Sequence, residues 1–141
     1  MPKALKRGYK SLLAEAKAEI EEYSAVDAIN LQSDPDIVIV DLRDPRELEI
    51  EGRIPGSFHC PRGMLEFWVD PESPYYKPVF GEGKKYVFHC AAGWRSALAT
   101  KTVKDMGLTK VAHIDGGFKA WKEAGGAIET YVPKSHEPKK S

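Results

Sequence analysis

Apolar residues occur along the chain in two patterns, one typical of helices and one typical of buried strands. Between residues 4 and 22 they follow a helical repeat among lysines and glutamates and form a single apolar stripe. The residues of that stripe are Leu5, Tyr9, Leu12, Leu13, Ala16 and Ile20. We predict a helix here that packs against the side of the domain. Ser24 is a favourable N-cap for a second, short helix over "AVDAINL", with Asp27 at the capping-box position.

The strongest strand signal is "DIVIV" at residues 36–40, which is β-branched and apolar apart from its first residue. A strand that is buried on both faces of a parallel sheet has this composition. Further strands are predicted over residues 57–60, 85–89 and 110–114, and helices over residues 45–51, 63–68, 94–106 and 117–124. Because strands and helices alternate, we expect an α/β fold with a parallel sheet.

The length of 141 residues gives room for one ordinary domain with one substantial core. We divide the chain into a helical extension over residues 1–22, a main domain over residues 23–128 and a flexible tail over residues 129–141, where "PKSHEPKKS" offers little to bury. Residues 70–84 contain three prolines and two glycines and are predicted to form a long loop. The aromatic residues in and before that loop either line a pocket mouth or pack against the core; they are Phe67, Trp68, Tyr75 and Tyr76.

Composition argues against several classes of partner. The 21 basic and 21 acidic side chains balance, so no overall field attracts nucleic acid or an acidic membrane. The N-terminal residues lack an apolar core of signal-peptide length, and the longest aliphatic run, "IVIV" at residues 37–40, is too short to span a bilayer. The two cysteines, Cys60 and Cys90, are too few for a disulfide framework. We therefore expect a soluble, cytoplasmic protein without cofactors.

The stretch "HCAAGWRS" at residues 89–96 carries the candidate chemistry. Cys90 follows a predicted strand, and ligands of parallel α/β sheets bind beyond the carboxyl ends of the strands. A chain that curls from Cys90 into the next helix directs successive backbone N–H groups at the sulfur, and Gly93 suits such a curl because it tolerates positive φ. Those amides, the start of the helix near Trp94 and the charge of Arg95 should all stabilise the nucleophilic thiolate of Cys90.

The spacing of Cys90 and Arg95 indicates which substrate the loop can hold. The pattern Cys-x4-Arg resembles the cysteine-phosphatase signature His-Cys-x5-Arg but is one residue shorter. One residue contributes up to about 3.5 Å of chain, so the ring of amides must be tighter. A tight ring suits a terminal sulfur atom better than a tetrahedral phosphate. Sulfur transfer from thiosulfate also needs no strong general acid, because sulfite is a weakly basic leaving group.

Three ordered motifs together resemble the rhodanese family of sulfurtransferases, over roughly residues 24–125. The first, "DLRDPRELEIEGRIPGS", matches the family pattern at Asp41, Arg43, Glu47, Gly52, Ile54, Pro55 and Gly56 and departs from it at Arg53 and Ser57. The second is the six-residue loop from Cys90 to Arg95, and the third is "GGFKAW" at residues 116–121. The resemblance implies a rhodanese-like, five-stranded parallel sheet flanked by helices on both faces. It also implies a Cys90 persulfide as the intermediate.

We expect substrate to be bound by the active loop, that is, by Ala91, Ala92, Gly93, Trp94, Arg95 and Ser96. Arg95 either contacts the charged donor or turns back to pair with Asp41 or Glu47 and clamp the loop. Trp94 is either a lid over the pocket or a shield for the start of the helix. Asp41, Arg43 and Glu47 are expected to support the loop rather than to touch substrate.

The remaining cysteine is assigned to structure, and the histidines beside the two cysteines are not assigned to a metal site. Cys60, in the predicted strand "SFHC", is expected to be a small buried side chain, although a role in resolving an oxidised Cys90 is open. The His-Cys pairs at residues 59–60 and 89–90 do not suit zinc, because consecutive strand residues face opposite sides of the sheet. We therefore expect no metal.

The leading hypothesis is an enzyme, a single-domain sulfurtransferase in which Cys90 takes a sulfane sulfur from a donor such as thiosulfate. The acceptor would be cyanide or a thiol, the thiol of a protein included. One alternative is a non-catalytic interaction or sensing module on the same fold. A second is a cysteine phosphatase or arsenate reductase on that fold, against which the short loop counts.

Overall fold

The computed structural model describes residues 2–133, and within that range it contains six α-helices and five β-strands. The helices are α1 (Tyr9–Glu19), α2 (Ala25–Leu31), α3 (Pro45–Glu51), α4 (Leu65–Val69), α5 (Trp94–Asp105) and α6 (Gly117–Glu123). The strands are β1 (Glu21–Tyr23), β2 (Ile37–Asp41), β3 (Phe58–His59), β4 (Lys85–His89) and β5 (Val111–Ile114). Two 3-10 turns, Arg62–Met64 and Pro78–Gly81, complete the regular structure of this range.

The five strands form one sheet in the order β1-β5-β4-β2-β3, and every pairing in it is parallel. The central pair β2 and β4 is in register from Ile37 opposite Lys85 to Asp41 opposite His89. The carboxyl ends of these strands therefore meet at one edge of the sheet. This arrangement confirms the expected α/β architecture with five parallel strands.

Two apolar clusters, one on each face of the sheet, form the core. On β2, Val40 belongs to the cluster that contains residues of α4 and α5, whereas Ile39 belongs to the cluster that contains residues of α2 and α6. Neighbouring strand residues point to opposite faces, so a fully apolar strand such as β2 supplies both clusters. Helices cover both faces of the sheet, as the resemblance implies.

The prediction for the N-terminal residues was wrong at both ends. The helix over residues 4–22 is only Tyr9–Glu19, and Glu21–Tyr23 form the edge strand β1 instead of a last helical turn. Ile20 is already extended, with φ −117° and ψ 158°. The sequence "EEY" has no strand pattern of its own, and it is held by pairing with Ala112–Ile114 of β5. Tertiary pairing overrides local propensity here. Helix α1 packs against α5.

The loop predicted over residues 70–84 is ordered around a 3-10 turn and packs away from the cysteine loop. Tyr76 and Phe80 line a hollow together with Met106 and Leu108, which follow the far end of α5. Trp68 packs edge-on against Phe58, with ring centroids 6.0 Å apart. Tyr76 and Phe80 therefore pack at the opposite end of α5 from Cys90, and Trp68 packs on β3, whereas Phe67 and Tyr75 are exposed.

The flexible tail predicted over residues 129–141 falls mostly on residues 134–141, which lie outside the described range. Within that range, Glu129 exchanges two backbone hydrogen bonds of 2.9 Å with Arg53, so the start of the tail is held against the domain. Every helix between residues 2 and 133 is too short or too polar to traverse a lipid bilayer.

Candidate active site

Cys90 lies at the carboxyl edge of the sheet, in a loop that leads from β4 directly into α5. Gly93 is the N-cap residue of α5 and has a φ of +101°, which confirms the left-handed conformation expected for the curl. A Cβ at this position would lie 3.2 Å from the backbone nitrogen of Gly116. A glycine is therefore required both by the backbone angle and by the close approach of the neighbouring loop.

The sulfur of Cys90 accepts hydrogen bonds from two backbone amides at the start of α5. The nitrogen of Gly93 lies 3.2 Å from Sγ and that of Ser96 lies 3.4 Å from it. Among the described residues, two backbone amides are thus directed at the sulfur, whereas the sequence predicted a full ring of amides. Cys90 itself is only 1% exposed. Amides and a twelve-residue helix together favour negative charge on this atom.

The third motif, "GGFKAW", holds the cysteine loop from the other side. The amide of Phe118 donates to the carbonyl oxygen of Cys90 at 2.8 Å, and the amide of Lys119 donates to that of Ala91 at 3.1 Å. Gly117 has a φ of +61°, and a Cβ there would lie 2.6 Å from the carbonyl oxygen of Cys90. The two glycines of the motif thus permit α6 to begin directly against the active loop.

The guanidinium of Arg95 pairs with Glu47 and also lies close enough to Cys90 for the two side chains to interact. Its Nη1 and Nη2 each lie 2.8 Å from one carboxylate oxygen of Glu47. Glu47 also accepts from the amide of Asp44 in the capping box of α3, at 2.8 Å. The hydrogen bonds from Arg95, helped by that amide and opposed by partial burial, hold the pKa of Glu47 below its usual range. This geometry contains the contact with Glu47 that the clamp requires, and the choice between the two roles stays a prediction.

Asp41 and Arg43 form a buried ion pair beside the loop. Arg43 donates to Asp41 through Nε at 2.9 Å and Nη2 at 2.7 Å, and Nη2 also donates to the carbonyl oxygen of Gly52 at 2.8 Å. The guanidinium carbon lies 4.2 Å from the ring centroid of Phe118 in α6. The pair thus links β2 to α6, which in turn holds the carbonyl of Cys90, and its supporting role stays a prediction.

The rim of the loop is more exposed than its floor. Ala92 is exposed, and Trp94 is 57% exposed. The ring of Trp94 packs on Tyr9 of α1, with centroids 4.9 Å apart. Trp94 therefore contacts the N-terminal helix as well as flanking the start of α5, a neighbour that the sequence motif alone does not indicate.

Two residues that sequence reasoning did not select, His113 and Glu22, are connected to the sulfur through Ser96. The hydroxyl of Ser96 is 3.6 Å from Sγ of Cys90 and 2.9 Å from Nδ1 of His113 in β5. On its other side, His113 meets Glu22 of β1. The sequence signal that could have identified His113 is the presence of a histidine within an otherwise apolar strand, "VAHI". Its partner on β1 had no signal, because that strand was not predicted.

Cys60 is a core residue. It is fully buried in the cluster under α4 and α5, and burial raises its pKa to about 12. A thiol in this state is a poor nucleophile at neutral pH, which agrees with the structural assignment.

The histidines of the described residues, and the carboxylates near His113, have contacts within the fold. His59 and His89 each contact a backbone carbonyl, of Arg43 and Cys90 respectively. Glu22, His113 and Asp115 place one possible ligand atom each within 4.8 Å of one another. The ammonium of Lys17 lies 3.3 Å from Asp115 and 3.7 Å from Glu22, so this group consists of internal ion pairs.

A cavity of about 380 Å³ adjoins the active loop at Ala91. Its wall combines apolar and charged side chains, which are Arg43, Glu47, Ile50, Glu51, Phe118, Lys119 and Lys122. Both the first and the third sequence motif contribute to it. The cavity therefore opens beside the loop that carries Cys90.

Comparison with known proteins agrees with the resemblance to the rhodanese family. The model of the Rhodanese-like domain family matches residues 24–124. A thiosulfate:glutathione sulfurtransferase from Saccharomyces cerevisiae is 31% identical over 116 residues, which cover 77% of this chain and 83% of that protein.

Two solved structures resemble the whole fold. One, from Rhodopseudomonas palustris, is described as a protein of unknown function and possible tyrosine phosphatase; it is 61% identical, covers 92% of this chain and 99% of its own, and has a TM-score of 0.88. A polysulfide-sulfur transferase homodimer from Wolinella succinogenes is 30% identical, covers 92% and 93%, and has a TM-score of 0.66.

Proposed function

Because the chain belongs to the rhodanese-like domain family, we propose that it is a sulfurtransferase in which Cys90 carries the sulfur. The observation that supports this most directly is the pair of amides, from Gly93 and Ser96, that donate to Sγ. Hydrogen bonds of this kind stabilise a thiolate, which is the nucleophilic form of cysteine. They would equally stabilise the negative charge of a persulfide.

The reaction with thiosulfate divides into two displacements. In the first, the thiolate of Cys90 attacks the sulfane sulfur, a new sulfur–sulfur bond forms, and sulfite leaves with the electron pair of the bond that breaks. In the second, a nucleophilic acceptor attacks the terminal sulfur of the persulfide and regenerates the thiolate. Cyanide would give thiocyanate, and a thiolate would give the corresponding persulfide. Neither step needs an external oxidant or a general acid, because sulfite and thiolate leave as stable anions.

The residues around the sulfur divide into binding and supporting roles. We assign substrate binding to the loop from Ala91 to Ser96, chiefly through its backbone amides. Arg95 acts mainly through its clamp to Glu47, which ties the loop to α3. The Asp41–Arg43 pair supports the loop from below through Phe118. With Cys90 only 1% exposed, donor entry requires movement at the rim, where Ala92 and Trp94 are exposed.

The acceptor is proposed to be a small thiol. The cavity beside Ala91 has a volume of about 380 Å³ and carries lysine ammonium groups and glutamates on its wall, which suit a zwitterionic peptide. The yeast relative transfers sulfur to glutathione according to its name, so glutathione is the first acceptor to test. Both cysteines, Cys60 and Cys90, are free thiols, which is consistent with a reducing, cytoplasmic setting.

A phosphatase is the second candidate, because a structure that is 61% identical is described as a possible tyrosine phosphatase. Two features of the site argue against it. The loop has four residues between Cys90 and Arg95, and the guanidinium of Arg95 is already engaged on both carboxylate oxygens of Glu47. A phosphate cradle needs a wider ring and a guanidinium directed at the phosphoryl oxygens.

A steady-state assay distinguishes the candidates. The protein is supplied with thiosulfate and either cyanide or glutathione, and formation of thiocyanate or of sulfite is followed. We expect turnover that is abolished in Cys90→Ser and retained in Cys60→Ala. Hydrolysis of an aryl phosphate that depends on Cys90, without any sulfur transfer, would replace the proposal by a phosphatase. If neither sulfur transfer nor phosphate hydrolysis is detected with these reagents, the result would favour the non-catalytic interaction module.

A further inference from the structure

A continuous chain of hydrogen bonds joins the buried thiol to the surface of the protein. Sγ of Cys90 lies 3.6 Å from Oγ of Ser96, Oγ lies 2.9 Å from Nδ1 of His113, and Nε2 of His113 lies 2.7 Å from a carboxylate oxygen of Glu22. Cys90, Ser96 and His113 are buried, whereas Glu22 is exposed on the edge strand β1. The chain therefore crosses from the active loop, through α5 and β5, to solvent.

The chemistry of the groups fixes the direction of each bond. The carboxylate of Glu22 can only accept, so Nε2 of His113 carries a proton and donates it. Nδ1 of the neutral ring is then an acceptor, and the hydroxyl of Ser96 donates to it. The oxygen of Ser96 keeps a lone pair for the S–H of Cys90. With these assignments every hydrogen bond in the chain has its donor on the side nearer the sulfur and its acceptor on the side nearer Glu22.

We propose that Ser96, His113 and Glu22 form a proton relay that converts the Cys90 thiol into the thiolate. The S–H bond breaks as its proton passes to Oγ of Ser96, and the hydroxyl proton of Ser96 passes to Nδ1 of His113. The imidazolium that results is held by the carboxylate of Glu22, and the electron pair stays on sulfur, where the amides of Gly93 and Ser96 stabilise it. This inference rests on the proposed function, in which the thiolate attacks the donor.

The surroundings of His113 act on the charge of its ring in both directions. Burial lowers the pKa of His113, although Glu22 on β1 and Asp115 after β5 act in the opposite direction, and Lys17 on α1 adds to the lowering. The ring is therefore neutral at rest and keeps a lone pair on Nδ1, and the imidazolium that forms on proton transfer is stabilised by the carboxylate of Glu22. Ser96 contacts the reacting sulfur and is a catalytic residue in this scheme, whereas His113 and Glu22 are positioning residues that act through it.

The test is a pH titration of the Cys90 thiolate, followed by its ultraviolet absorbance in the full chain. The parent is Cys60→Ala, which leaves a single thiol, and the same protein with Cys90→Ser supplies the baseline for tyrosine absorbance. His113→Gln and Ser96→Ala interrupt the relay, and Glu22→Gln removes its terminal charge. Glu21→Gln is the matched control, because Glu21 is the neighbouring residue of β1 and pairs with Lys85 instead.

We expect the thiolate to form at higher pH in His113→Gln and Ser96→Ala, with about tenfold less thiolate at pH 7 than in the parent. Glu22→Gln should show a smaller shift in the same direction, and Glu21→Gln none. A merely structural role would lower the melting temperature without moving the titration. If His113→Gln does not fold, the titrations of Ser96→Ala and Glu22→Gln provide the test. Titrations that coincide with that of the parent in the folded relay variants would overturn the proposal.

The experiment also separates the relay from the proposed function, because the titration uses no sulfur donor. Sulfur transfer that persists in protein whose titration is insensitive to His113 and Ser96 would reject the relay alone. A shifted titration in protein that takes no sulfur from thiosulfate would support the relay and reject the proposed donor.

Discussion

The guanidinium of Arg95 forms a bidentate ion pair with Glu47, with both N–O distances at 2.8 Å. Arg95 lies one residue beyond the start of α5, and Glu47 lies in the first turn of α3, so the contact joins the second sequence motif to the first. The arginine of the Cys-x4-Arg loop is thus held in a fixed orientation before any substrate arrives.

Loss of the clamp should affect activity more than stability. Arg95→Ala and Glu47→Gln each remove the pair, which is partly exposed and contributes about 0.5–1 kcal/mol to folding. We expect both variants to lower kcat/KM for thiosulfate by a similar factor, on the order of tenfold, because each loosens the same loop. Steady-state assays and urea denaturation measure the two effects.

The double variant provides the control for this prediction. If the clamp accounts for the effect of Arg95, then Arg95→Ala combined with Glu47→Gln should be no worse than either single change. A far greater loss in Arg95→Ala than in Glu47→Gln would show instead that the guanidinium also contacts the donor.

Gly117→Ala should be strongly destabilising. The new Cβ would lie 2.6 Å from the carbonyl oxygen of Cys90 and 2.7 Å from that of Ala91, and φ is +61°. We expect a loss of about 3 kcal/mol in the free energy of unfolding, measured by urea denaturation. Gly56→Ala is the matched control, since Gly56 has a φ of +78° with open space around it and should lose only about 1 kcal/mol. Equal losses in the two variants would contradict the close contact.

Cys60→Ala should keep the ability to transfer sulfur. Cys60 is fully buried in the core, and its raised pKa leaves the thiol protonated at neutral pH. We expect unchanged kcat/KM and a loss of about 1 kcal/mol in stability from the missing sulfur atom. Abolished turnover in this variant, in protein that still folds, would assign Cys60 the resolving role that its burial argues against.

Stability should fall as the pH is lowered through the range of histidine. Burial lowers the pKa of His89, even though Asp41 opposes the shift and Arg43 adds to it. The neutral ring is therefore favoured by folding, and its contribution is complete above pH 6.5 and is lost as the pH falls towards the lowered folded value. We expect a slope of about 1 kcal/mol per pH unit below pH 6.5.

Denaturation of the parent and of His89→Gln at a series of pH values checks this prediction. The slope should be smaller in the variant, which has no ring to protonate. An equally steep slope in His89→Gln would assign the acid sensitivity to another group, of which His113 is the first candidate.

Sequence could predict those parts of the fold and site that depend on local pattern. The apolar run of β2, the capping signal of α2 and the positive φ of Gly93 are each encoded within a few residues. Strand β1 was missed because "EEY" becomes a strand only through pairing with β5. The choice of Glu47 over Asp41 as the partner of Arg95, and the approach of His113 to Ser96, depend on which elements are neighbours in space. Such long-range pairings leave no periodic trace in the sequence.

Intact-mass spectrometry after incubation with thiosulfate tests the central claim most directly. The protein is freed of excess donor, weighed, and then treated with cyanide. The account predicts that the native chain and Cys60→Ala each gain the mass of one sulfur atom, that cyanide removes it as thiocyanate, and that Cys90→Ser gains nothing. A folded native chain that takes up no sulfur, or uptake that persists in Cys90→Ser, would contradict it.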